Sequence, residues 1–142
     1  MPTRSASARW EGGLKGGSGT ISGLVWNGGQ YSFSSRFENG TGTNPEELLA
    51  AAQAACYSMA LGGGLEKNGT PPTSIETTAK CTIEKVGDGF AITLMHLDVK
   101  ATVPNIDNAK FQAIAAATKD GCPVSKALKG GMKTELTAAL SA

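Results

Sequence analysis

The stretch Asn44-Pro45-Glu46-Glu47-Leu48-Leu49-Ala50-Ala51-Ala52-Gln53-Ala54-Ala55-Cys56-Tyr57-Ser58-Met59-Ala60-Leu61 decides how this chain folds. Asn44 suits a helix N-cap. Pro45 fits the first helical position, where its missing N–H costs nothing, and Glu46 and Glu47 complement the positive end of the helix dipole. Glu47 stands three residues after Asn44, as in a capping box, although that motif prefers Ser or Thr at the cap. The segment predicts a helix running to about Leu61 and ending in Gly62-Gly63-Gly64. Leu48, Ala52, Ala55, Cys56 and Met59 fall on one stripe at spacings of three and four. So many alanines allow another element, or another subunit, to approach closely.

Before this helix, Ser7–Glu11, Gly19–Trp26 and Gln30–Phe37 read as three antiparallel strands. Their turns fall at Gly12-Gly13 with Gly16-Gly17 and at Asn27-Gly28-Gly29. After it, Pro71-Pro72 marks a loop, and Ser74–Val86 and Phe90–Val103 flank a Gly87-Asp88-Gly89 turn. Thr-rich alternation in the first and the Ile92, Leu94, Met95, Leu97, Val99 content of the second favour sheet. Asp107–Thr118 is a second helix with Phe111, Ile114 and Ala115 on one face. Asp120-Gly121 breaks it, and Pro123 opens a short third helix to about Lys129. A last strand spans Met132–Leu140. The order βββαββααβ describes an α+β fold, and 142 residues suit a single domain, residues 1–142.

Hydrophobic residues make up 40% and charged residues 18%, as in ordinary globular chains. The net charge is +1 without a basic stripe, which argues against a nucleic-acid groove. The run Leu48–Leu65 is interrupted by Gln53 and Ser58 and preceded by two glutamates, so it reads as a buried or interface helix and not as a membrane span. No apolar stretch follows Arg4 and Arg9, so the N-terminus does not read as a secretory signal. The expected location is the cytoplasm.

The chain has three cysteines and one histidine, with no CxxC pair, which speaks against a structural zinc site. Cys56 in an Ala-rich helix is what a small buried hydrophobe looks like, and its neighbours must argue for more. Cys122, in Asp120-Gly121-Cys122-Pro123, directly precedes a helix, where unsatisfied N–H groups favour a thiolate. The alternative is a small residue that merely fits a tight turn. Cys81, in a Thr-rich strand, reads as a bystander. His96, alone in an apolar strand, reads as a packed residue. Arg36, at the end of the third strand, and Glu46, in the first turn of the long helix, form a candidate charged pair. A guanidinium stabilises a thiolate and can donate to peroxide oxygens, and a carboxylate can hold it in place. A solvated arginine and an ordinary helix-start glutamate are the plainer readings of the same two residues. Glu46 and Cys56 are separated by about 15 Å of ideal helix, so either a side chain reaching between them, such as Arg36, connects the two or the glutamate swings inward on substrate binding.

Ser35-Arg36-Phe37-Glu38, Gly42-Thr43-Asn44-Pro45-Glu46-Glu47-Leu48 and Ala54-Ala55-Cys56-Tyr57-Ser58-Met59-Ala60-Leu61 closely resemble the core of the OsmC/Ohr family, in its osmotically inducible protein C branch. Pro72-Thr73-Ser74-Ile75, Gly89-Phe90-Ala91-Ile92-Thr93 and Gly121-Cys122-Pro123-Val124-Ser125 continue the match in order. The resemblance implies an intertwined homodimer with two long central helices packed against wrapped antiparallel sheets. It implies a cysteine-based peroxidase for organic hydroperoxides, with Cys56 peroxidatic, Cys122 resolving through a Cys56–Cys122 disulfide, and Arg36 and Glu46 supporting the thiolate. It implies no metal, flavin or haem, and an external dithiol reductant, with lipoyl groups on protein carriers as the leading candidate. An apolar substrate pocket near the helix is expected to involve Leu48, Leu49 and Met59. The competing readings are a dimeric redox-sensing or binding module without turnover, and a structural dimer with inert thiols.

Overall fold

The computed structural model of the chain describes residues 3–23, 25–131, 135 and 137. Along them the elements are β1 (Ser7–Glu11), β2 (Ser18–Ser22), β3 (Gly29–Tyr31), α1 (Phe33–Phe37), α2 (Pro45–Lys67), β4 (Ser74–Val86), β5 (Gly89–Thr102), α3 (Asn108–Gly121) and α4 (Pro123–Leu128). The α+β class and the long helix stand as the sequence indicates. The last expected strand, Met132–Leu140, lies outside the described residues except for Glu135 and Thr137. Two compact units form, residues 1–50 with 80–95 and residues 51–79 with 96–142.

In the first unit, β1, β2 and β3 make an antiparallel sheet in that order. Trp10 and Tyr31 both pair with Gly19, and their rings meet at 5.4 Å. A Cβ at Gly19 would lie 2.5 Å from the Tyr31 ring, so only glycine fits between them. The expected third strand, Gln30–Phe37, is a strand only to Tyr31. Ser32 then caps α1: its side chain accepts from the Ser35 N–H, and Ser35 Oγ accepts from the Ser32 N–H at 2.8 Å. This serine pair is a capping box, and it outweighs the alternating pattern that suggested a strand. The second strand is likewise shorter than expected and ends at Ser22, with Gly23 N–H donating to the Trp26 carbonyl.

Asn44 caps α2 as expected, its Oδ1 accepting from the Glu47 N–H at 2.8 Å. The return half of the box is not made, because the Glu47 carboxylate takes the Thr43 hydroxyl instead. In the same unit Gly87 (φ +60) opens the two-residue turn between β4 and β5, where a type II′ hairpin requires positive φ. The ring of Phe90 packs against Phe37 at 4.6 Å between centroids.

The second unit contains the core. Tyr57, Leu61 and Leu65, at successive i, i+4 positions of α2, are almost completely buried. Ile75, Leu97, Val99, Phe111, Ile114 and Ala115 pack around them. Gln53 (3% exposed) extends the same stripe, whereas Ala52, Ala55 and Met59 of the expected stripe are exposed, Met59 by 82%. The helix also does not stop at Gly62-Gly63-Gly64. It runs on to Lys67 and ends in a Schellman motif, with Gly69 (φ +81) donating to the Glu66 carbonyl and Thr70 to the Leu65 carbonyl. Of the three glycines Gly64 serves close approach, since a Cβ there would lie 3.2 Å from Ile114 of α3. Similarly, Asp120-Gly121 falls inside α3, which ends only at Cys122.

Among the described residues, α2 is the one helix long and apolar enough to cross a membrane by length and composition, and 22% of its most apolar window is buried. Replacing Gly64 with Val should destabilise the protein by about 1–3 kcal/mol through overpacking against Ile114, read as a lower midpoint in urea unfolding.

Candidate active site

Cys122 is the N-cap of α4, and the helix start at Pro123 sets its surroundings. Its sulfur accepts from the Ser125 N–H at 3.4 Å and lies 3.3 Å from Ser125 Oγ. Gln53, reaching across from α2, donates through Nε2 to Ser125 Oγ at 2.7 Å and stands 3.9 Å from the Cys122 sulfur. Gln53, Cys122 and Ser125 are all buried. Burial pushes the Cys122 thiol up, but the Ser125 hydroxyl and N–H, the Cys56 thiol and the Val124 N–H together bring it below the ordinary cysteine value.

Cys56, one helical turn after Gln53, is half-buried. Its thiol is pushed up, first by desolvation and then by the hydrogen bond and charge of Cys122, with the Val124 N–H pulling the other way. The structure thus brings the two sequence-predicted cysteines together as electrostatic neighbours. It divides them by character: one accessible and weakly acidic, the other enclosed and more acidic. Tyr57, whose hydroxyl donates to the Ala115 carbonyl at 2.9 Å, anchors α3 beside them, and the Cys122 charge adds to burial in raising its phenol.

Arg36 and Glu46 form the second pair, in the other unit. The guanidinium grips the carboxylate through two nitrogens, with Nη2 at 2.7 Å and Nε at 3.0 and 3.2 Å. Arg36 reaches Glu46 from helix α1 and not from a strand end, with its guanidinium over the Phe37 ring at 5.2 Å. The Glu46 side chain is 7% exposed and the Arg36 side chain 36%, so Glu46 is a buried charge with a matched partner and more than a helix-start acid.

Cys81 belongs to the unit that holds this pair. Its thiol is raised by burial and further by the Glu46 charge, so nothing activates it. His96 is exposed on β5 and not packed as its apolar neighbours suggested. Among the described residues no three His, Cys, Asp or Glu side chains gather to hold a metal. An open groove of about 610 Å³ between α2 and α3 is lined by Ala60, Gly64, Ile114 and Ala117, with Lys67, Lys110 and Cys122. None of Leu48, Leu49 and Met59 lines it. Sequence reasoning missed Gln53 and Ser125. The available signal was Gln53 itself, the one long polar side chain in the Ala-rich middle of α2, three residues before Cys56.

Two consequences are measurable. Arg36→Met strands the Glu46 carboxylate in a buried site and should cost about 3–5 kcal/mol in chemical denaturation. The double variant Arg36→Met/Glu46→Leu should recover much of that loss. Separately, Cys122→Ser keeps a competent cap but removes the charge that raises Cys56. The thiolate of Cys56 then forms at lower pH, so the midpoint of its pH-dependent alkylation should move down, read by mass spectrometry. An unchanged or higher midpoint would contradict this account of the pair.

Comparison with known proteins agrees with this architecture. The profile of the family described as OsmC-like protein matches residues 38–137. The chain is 49% identical to the Peroxiredoxin OsmC of Escherichia coli strain K12 over 128 residues, 89% of this chain and 90% of that protein. It is 33% identical to the organic hydroperoxide resistance protein OhrB of Bacillus subtilis over 100 residues, 70% of this chain and 71% of that one. The crystal structure of Bacillus subtilis OhrB superposes with a TM-score of 0.62, covering 89% of this chain and 91% of the other. A long capped helix carrying one cysteine, a second cysteine capping a short helix beside it, and a family match over most of the length agree: this chain belongs to the OsmC-like family.

Proposed function

We propose that this protein is a cysteine-based peroxidase that reduces organic hydroperoxides to alcohols, with Cys56 as the attacking sulfur and Cys122 as the resolving one. The observation that carries the reading is the pairing of a reachable Cys56 with a buried Cys122 whose sulfur collects hydrogen-bond donors. The Cys56 thiolate attacks one peroxide oxygen. An S–O bond forms, the O–O bond breaks, and the alkoxide leaves and takes a proton to become an alcohol. Cys122 then attacks the resulting sulfenic acid, forming the disulfide and releasing water before further oxidation. Names of relatives support the substrate class, since those proteins are called peroxiredoxin and organic hydroperoxide resistance protein.

Cys56 is raised and, among the described residues, no cation is one of the groups that set its acidity, so a productive thiolate needs one. On this reading Arg36, oriented by Glu46, supplies the guanidinium that stabilises the thiolate and directs the peroxide. The reductant is an external dithiol, a lipoyl group on a carrier protein. It attacks the accessible Cys56 sulfur and expels Cys122, whose greater acidity makes it the better leaving thiolate. Its second thiol then releases Cys56 by closing a ring. The working form is a homodimer in the cytoplasm, with the chain acting as one domain. Exposed Ala52, Ala55 and Met59 on α2, and exposed Phe90, Ile92 and Leu94 at alternate positions of β5, are the uncovered apolar surface a partner subunit would bury.

The test is intact mass and free-thiol count before and after one equivalent of cumene hydroperoxide, followed by turnover with dihydrolipoamide. Loss of two hydrogens mapping to Cys56 and Cys122, with Cys81 still free and repeated turnover, is the expected result. A disulfide without turnover points to a sensing module. Three untouched thiols overturn the reading.

A further inference from the structure

The Gln53 carboxamide is the feature that the two-cysteine chemistry leaves unexplained. It is 3% exposed in the middle of an apolar helix, and only one end of it is used. Nε2 donates to Ser125 Oγ at 2.7 Å. That oxygen, already accepting from Gln53, has its own hydrogen free for the Cys122 sulfur at 3.3 Å. The other end, Oε1, is buried with no hydrogen-bond partner among the described residues. A buried carbonyl without a donor is rarely tolerated, and one that persists beside reactive groups calls for an explanation, of which a role in their chemistry is one. Gln53 and Cys56 stand three residues apart on α2, where side chains are neighbours with Cβ atoms about 5–6 Å apart. The donor that peroxide chemistry creates at Cys56 is the hydroxyl of its sulfenic acid.

We propose that Gln53 is a positioning residue for disulfide closure: Nε2 holds the Ser125 hydroxyl on the Cys122 sulfur, while Oε1 receives the hydroxyl of the Cys56 sulfenic acid. This inference rests on the peroxidase reading of the two cysteines. Gripping the sulfenic hydroxyl turns the Cys56 sulfur toward Cys122, with the S–O bond directed away. The Cys122 sulfur attacks the Cys56 sulfur, the S–S bond forms, and the S–O bond breaks. The departing hydroxide takes the proton that Cys122 gives up and leaves as water. No further oxidant or reductant is needed for this step.

Gln53→Met keeps the length and bulk of the side chain and removes both ends of the amide. After one equivalent of cumene hydroperoxide, two rates are followed: sulfenic acid formation, by dimedone trapping, and disulfide closure, by quenched-flow mass analysis. The variant should close the disulfide at least about tenfold more slowly, while the first step changes by less than about twofold, and Cys56 sulfinic acid should accumulate. A merely structural role moves both rates together or neither. Ser125→Ala, which leaves Gln53 in place, removes only the Cys122 half of the arrangement and should slow closure less than Gln53→Met does; if Gln53→Met does not fold, Gln53→Leu takes its place in the same two-rate comparison. Closure at the wild-type rate in the folded variants overturns the inference. Failure of the wild-type protein to form the Cys56–Cys122 disulfide overturns the peroxidase reading instead, so the two failures are distinguishable.

Discussion

One stripe of α2 governs the thiol-bearing unit. Gln53, Tyr57, Leu61 and Leu65 recur every four residues and are all buried, so the helix offers α3 and α4 a single face with two chemistries. Its C-terminal half is aliphatic and packs against Phe111 and Ile114 of α3. Its N-terminal half ends in an amide that reaches Ser125 beyond the α3–α4 break. Gly64 lets α3 come close enough for Tyr57 to donate to the Ala115 carbonyl. Because Cys56 is on the same helix one turn after Gln53, fixing α3 against this stripe also fixes Cys122 relative to Cys56. The thiol pair is a consequence of helix packing, which brings the two side chains within hydrogen-bonding reach of each other.

The other unit is organised by a charge. Glu46 starts α2, where the helix dipole already favours a carboxylate, but only Arg36 offsets the cost of burying it. The guanidinium reaches it because α1 exists: the Ser32–Ser35 box nucleates a helix just before the Arg36 position. Ser35 further ties α1 to the segment before α2, its hydroxyl donating to the Thr43 carbonyl at 2.8 Å and its carbonyl accepting from Asn44 Nδ2 at 3.0 Å. Two serines and an asparagine thereby hold an arginine over a buried acid.

Much of this was legible in the sequence where local rules act alone. The cap at Asn44, the paired glutamates, the Gly87-Asp88 turn and the Cys-Pro helix start all read correctly, because each depends on a few adjacent residues. The misreadings share a cause. Gly62-Gly63-Gly64 looks like a stop until Ile114 shows what the missing side chain of Gly64 admits. Gln30–Phe37 alternates like a strand until two serines, indistinguishable from loop residues in sequence, close a capping box. The stripe Leu48, Ala52, Ala55, Cys56 and Met59 that the spacing picks out is not the one that faces the core, because α2 is apolar nearly all round. Periodicity cannot choose a face on such a helix, and a tyrosine and a glutamine are what mark the real one. At the site, the sequence offered Cys56, Cys122, Arg36 and Glu46 as candidates, and the structure sets Cys56 beside Cys122 and Arg36 on Glu46. The amide and hydroxyl that set Cys122 could not be named in advance, since Gln53 and Ser125 are separated by most of the second half of the chain.

The opposite perturbation of the two thiols bears on how a two-cysteine cycle on this scaffold runs. A resolving cysteine has to be protected from the oxidant yet ready as a thiolate, and burial alone defeats the second need by raising the thiol. The Cys122 site meets both needs by substituting fixed donors for solvent: the Ser125 N–H and hydroxyl and the Val124 N–H. Cys56 meets the reverse demand. Access to a bulky hydroperoxide requires exposure, and a thiolate next to Cys122 is disfavoured by that same neighbour. Its activation must therefore come from a positive group that the thiol pair itself does not contain, which is the part the proposed function gives to Arg36. The asymmetry also orients the return half-cycle. In the proposed cycle an incoming dithiol would meet the more accessible Cys56 sulfur, and the sulfur displaced would be the one whose anion the Ser125 and Val124 donors stabilise, so the same arrangement would favour both closing and reopening of the disulfide.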